Sequence, residues 1–102
     1  MDDIDFGFLE DYGDRVVHWE GTLLFPADVA VEAVGEFKHK NIRLLGIDAF
    51  DSSTEDTFEC RNEDCLDFSR KEYWDYSVEE LCDIATEHIQ SRNEFLFEFI
   101  EP

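Results

Sequence analysis

Apolar residues recur along this chain in two rhythms, one of three to four residues and one of two. In "PADVAVEAVGEFKHK", Val29, Ala30, Ala33, Val34 and Phe37 fall on one helical face. Pro26 suits a first helical turn. Asp28 near the start and Lys38, His39 and Lys40 near the end complement the helix dipole. Asn41 can end the helix in a left-handed cap. "SVEE" at residues 77–80 is a capping box, in which Ser77 and Glu80 satisfy each other's backbone N–H groups. It opens a second helix whose stripe is Val78, Leu81, Cys82, Ala85 and Ile89, running to about Gln90.

The two-residue rhythm marks strands. "EFLFEFI" puts Phe95, Phe97 and Phe99 on one face, with Leu96 and Ile100 on the other and Glu98 between them. Apolar residues on both faces predict a central strand. "NIRLLGIDAFD" at residues 41–51 also reads as a strand, through Ile42, Leu44, Ile47 and Phe50. It carries Gly46 and Asp48, two residue types that strands avoid. Gly46 then serves a bend, a bulge or the close approach of a neighbour such as the first helix. Asp48 either accepts a hydrogen bond from nearby backbone or points out at the strand end, and a structural role is expected for both. "RVVHWEGTLLF" at residues 15–25 predicts one short strand broken at Gly21, and "TFECR" at residues 57–61 a short returning strand.

Three stretches fit neither rhythm. Residues 1–14 mix six acids with Phe6, Phe8, Leu9 and Tyr12, as a docked segment or a short helix would. Residues 51–68 hold seven acids against Arg61 alone. Residues 68–76 read as a loop in which Tyr73, Trp74 and Tyr76 cluster. The resulting order is strand, helix, strand, acidic segment, helix, strand. It predicts a single α+β domain over residues 1–102, with two helices on one face of a small, mainly antiparallel sheet of three to five strands. There is no internal repeat.

Charge changes the picture. Among 102 residues, 27 are Asp or Glu and 8 are Lys or Arg, a formal net charge of -19, while the 43% of hydrophobic residues suffice for a core. Such a surface repels nucleic acid and anionic membrane and attracts basic proteins. The N-terminus carries acids where a signal peptide needs bases, and no apolar run is long enough to span a bilayer. The expected location is cytoplasmic. Cys60, Cys65 and Cys82 are an odd number, as reduced thiols would be.

Candidate chemistry is thin. There is no nucleophile elbow, phosphate-cradling loop or paired-histidine motif among His18, His39 and His88. The cysteine spacing is not that of a zinc site, and "DAFDSSTEDTFE" lacks the glycine and ligand spacing of an EF-hand. The expectation is a binding protein without catalytic residues, cofactor or metal. Its candidate contacts are Asp51, Glu55, Asp56, Glu59, Glu63, Asp64 and Asp67 for charge, with Tyr73 and Trp74 as aromatic anchors, unless Trp74 instead packs the loop onto the sheet with Glu72 and Asp75 solvating it.

The junction "EFKHKNI" into "LLGIDAF", together with "ATEHIQSRNEFLFEFI", resembles the immunity protein 40 family of bacterial polymorphic toxin systems, over residues 22–100. Gly46 and Asp48 match that family's glycine-x-aspartate motif, and Ile47 stands where a second glycine is expected. The resemblance implies a cytoplasmic immunity protein, of the contact-dependent growth inhibition type, monomeric when free. It would bind a cognate toxin domain by direct contact, and a nuclease-type toxin would be basic. Two other readings fit the charge: a nucleic-acid mimic acting on another DNA- or RNA-binding protein, and a small acidic secretion chaperone, which would homodimerise.

Overall fold

The computed structural model of the protein describes residues 7–52 and 58–101. The segment expected as one strand is a hairpin, β1 (Val17–Trp19) and β2 (Thr22–Pro26), with Val17 opposite Leu24 and Trp19 opposite Thr22. Its two turn residues, Glu20 and Gly21, both take positive φ, 48° and 80°. That is the turn whose twist matches paired strands, so Gly21 joins two strands instead of interrupting one.

Helix α1 (Ala27–His39) follows directly from Pro26. It ends as the sequence predicts, with Asn41 at φ 55°. The Asn41 N–H donates to the Lys38 carbonyl at 3.1 Å and the Ile42 N–H to the Phe37 carbonyl at 2.9 Å. These two bonds close the last turn in a Schellman motif. The chain then runs irregularly through Ile42 and Leu44, and β3 (Gly46–Ser52) begins only at the glycine. The apolar residues before Gly46 are spent on packing, with Leu44 1% exposed.

β4 (Phe58–Cys60) and β5 (Leu66–Asp67) both pair with β3 on its outer edge, separated by a 3-10 turn at Asn62–Asp64. Helix α2 (Val78–Gln90) starts at the capping box, whose two hydrogen bonds are both made. β6 (Leu96–Phe99) lies between β2 and β3, so the strand apolar on both faces is central. The sheet is antiparallel throughout, in the order β1-β2-β6-β3-β4 with β5 beside β3; its six strands reach one beyond the three to five expected, because the first predicted strand is a hairpin and the outer edge is built from two pieces.

Both helices cover one face, giving the expected α+β architecture. Phe25, Ile47, Ala49, Phe97 and Phe99 meet Val34, Phe37, Leu81, Ala85 and Ile89 in a continuous core. Ring packing organises it: Phe99 lies 5.1 Å from Phe25 and 5.4 Å from Phe37, centroid to centroid. Of the N-terminal acidic segment, residues 1–6 lie outside the described residues; the rest is both docked and helical, a kinked 3-10 helix at Gly7–Arg15. It buries Leu9, sets Phe8 edge-on to Phe37 at 5.0 Å and Tyr12 edge-on to Phe25 at 5.6 Å.

Neither α1 nor α2 covers the other face. Alternation leaves Asp48, Phe50, Leu96 and Glu98 partly exposed there, with Ile47, Ala49, Phe97 and Phe99 buried on the helix side. The sheet curls enough for Trp19 on β1 to reach Phe50 at 6.1 Å and Phe58 at 5.3 Å across the intervening strands. Among the described residues, no helix is long and apolar enough to cross a membrane.

Candidate interaction surface

The acids expected to make contact are treated differently by the fold. Asp64 is used internally. Its carboxylate accepts from Arg92 Nε at 2.8 Å and its carbonyl from His88 Nε2, tying the Asn62–Asp64 turn to the end of α2. Asp67 folds its own turn, accepting from the Ser69 N–H at 3.0 Å and from the Ser69 hydroxyl, bonds that hold its carboxyl below the ordinary range. Glu63 forms an exposed ion pair with Arg61 at 3.1 Å, worth well under about 1 kcal/mol. Asp51 and Glu59 stand directly opposite each other on β3 and β4. Glu55 and Asp56 lie outside the described residues.

The aromatic cluster divides into support and contact. The Tyr73 ring packs edge-on against Phe68 at 5.0 Å and Tyr76 at 5.5 Å, so it braces the loop from within. Arg43 reaches across to donate to the carbonyls of Tyr73 and Tyr76, at 2.8 Å each. Trp74 is 62% exposed, yet its indole N–H donates to the Ser69 carbonyl at 2.9 Å and Lys71 sits 6.0 Å over its ring. A large ring held in one place in water loses little freedom on binding, the property of an interface anchor. The sequence locates the cluster. Which ring turns outward follows from Phe68, whose buried position takes Tyr73 with it.

Gly46 and Asp48 separate into two roles. A Cβ on Gly46 would stand 2.6 Å from the Leu66 carbonyl oxygen, and its φ is +157°. The close neighbour that demands glycine is therefore β5, not the first helix. Asp48 projects onto the open sheet face, directly opposite Glu98 on β6. Burial, and then the Asp48 charge, push the Glu98 carboxyl above its usual range. The alternation of β6 reveals that Glu98 leaves the Phe97–Phe99 face. Its meeting with Asp48 depends on the register of two strands about fifty residues apart, and no sequence signal carries that.

The three cysteines are free thiols: Cys60 exposed, Cys65 half-buried, Cys82 buried. The Cys65 sulfur accepts the Ala49 N–H at 3.3 Å where a ladder carbonyl would otherwise stand, and the Cys65 thiol is pushed up to about 12, chiefly by burial. Among the described residues, no three His, Cys, Asp or Glu side chains come together as a metal site. Comparison with family models, curated proteins and solved structures finds no match.

Proposed function

We propose that this protein is an acidic inhibitor that binds a basic protein by direct contact, and, following its resemblance to the immunity protein 40 family, that the partner is a cognate toxin domain met in the cytoplasm. The observation that carries the proposal is the placement of carboxylates against the interest of the fold. Asp48 faces Glu98, and Asp51 faces Glu59, each pair in direct cross-strand register. Like charges opposite each other destabilise a sheet. Among the described residues, none of these four makes an ion pair. A cationic partner reverses the sign of that interaction, so repulsion stored in the free protein becomes attraction in the complex. The exposed charge also steers encounter, toward association rates of about 10^8 M⁻¹s⁻¹ at low salt. Such speed suits an inhibitor that must capture a harmful enzyme before it acts.

The test is capture followed by rescue. Protein immobilised at low salt is expected to retain a basic domain from its native cells and release it along a salt gradient. Expressed alone, that domain should arrest growth, and co-expression with this chain should restore it. Replacing Asp51 and Glu59 with Asn and Gln should weaken binding about tenfold and flatten its salt dependence, while Trp74→Ala should cost about thirtyfold if the ring is a central anchor. Binding indifferent to ionic strength, or failure to restore growth, overturns the proposal.

A further inference from the structure

The open face of the sheet offers a place for one particular side chain. Asp48 and Glu98 sit opposite each other on β3 and β6, two neighbouring inner strands. Residues in that relation have Cβ atoms about 5 Å apart. One step along the same face, Phe50 is paired with Leu96. Trp19 stands edge-on to Phe50 and to Phe58, as a wall along that side of the curl. Two carboxylates therefore lie on an apolar floor beside aromatic rings, on a sheet face that neither helix covers. Glu98 is partly buried, and no described base forms an ion pair with either acid.

The chemistry selects among cations. An ammonium is compact and strongly hydrated, and leaving water for a half-apolar surface costs it more. A guanidinium is flat and less hydrated. It stacks on aromatic faces and offers donors on two edges to two carboxylates at once. We infer that this face is the seat of an arginine side chain from the basic partner, held between Asp48 and Glu98 and lying against the Trp19–Phe50 wall. The inference rests on the function proposed above and names the surface through which it acts.

The experiment titrates the full chain with Nα-acetyl-arginine amide, followed by nuclear magnetic resonance. Saturable shifts are expected at the Trp19 indole N–H and at the backbone amides of Asp48 and Glu98. Nα-acetyl-lysine amide should bind at least threefold more weakly. D48N/E98Q should abolish the response, Glu98→Gln alone should weaken it, and D51N/E59Q should leave it intact. Both sheet-face variants remove a repulsion, so their melting temperatures should not fall. Shifts spread over all surface acids without saturation, or equal binding of the two amides, overturn the assignment. If the captured basic partner binds D48N/E98Q undiminished while D51N/E59Q weakens it, this seat is wrong and the inhibitor reading stands. If the chain captures no basic partner, that reading fails while the amide titration still tests the seat.

Discussion

At the scale of single residues, Gly46 shows how one absent side chain sets a strand edge. The Leu66 carbonyl occupies the space a Cβ would need, 2.6 Å away, and the backbone there has a φ that side chains disfavour. Gly46→Ala must push β5 off the edge or twist β3, and overpacking of this kind costs about 2 kcal/mol. Urea denaturation should show a lower midpoint with an unchanged slope. An unshifted midpoint would mean that β5 yields freely. Ile47, between Gly46 and Asp48, is fully buried in the core, opposite Phe99. This chain therefore needs a side chain at that position, since a glycine would leave a hole among the phenylalanines.

At the scale of elements, the two ends of α2 are fixed by different means. The capping box that starts it is local and legible in four consecutive letters. The other end is held by tertiary contacts, with His88 and Arg92 both bonded to Asp64. Burial lowers the His88 pKa below 6.5, and Arg92 adds to the effect while the Asp64 carbonyl and charge oppose it. The folded state thus prefers the neutral ring, whose Nε2–H donates to the Asp64 carbonyl. Its stabilising contribution is complete above the unfolded value of about 6.5 and is lost as pH falls through the lower folded value. Melting temperatures measured from pH 7.5 to pH 5 should fall more steeply for the native chain than for His88→Gln. Parallel profiles would remove His88 from the account. Glu98, raised instead of lowered, acts in the opposite sense at more acidic pH and is common to both proteins, so the difference isolates the histidine.

For the whole molecule, charge dominates. The chain carries a net charge of -19, and its Cα radius of gyration is 13.2 Å, less than twice the Debye length of about 8 Å at physiological salt. Few bases offset it locally. Lys38 bridges to Asp83 at 3.2 Å and Glu79 at 3.7 Å, joining α1 to α2, and Arg15 pairs with Glu32, but these are exposed pairs of small value. Self-repulsion therefore subtracts from stability. Raising sodium chloride from 20 to 300 mM should increase the melting temperature by about 5 °C, the shift that roughly 1 kcal/mol produces in a domain of this size. A melting temperature that stays level or falls would show that ion pairs outweigh repulsion.

What depends on neighbours along the chain is legible in its letters: both helices, the cap at Ser77, the left-handed stop at Asn41, the central place of β6 and the overall charge. Those features follow from periodicity, capping chemistry and composition, which act over a few residues or over all of them at once. Tertiary structure alone decided the split of the outer strand into β4 and β5, the neighbour that excludes a side chain at Gly46, the outward turn of Trp74 and the meeting of Asp48 with Glu98. Each of these needs strand register or the packing of distant segments. Register is set by how the core fills as a whole, and a slip of one residue would have carried the same acids to the opposite face.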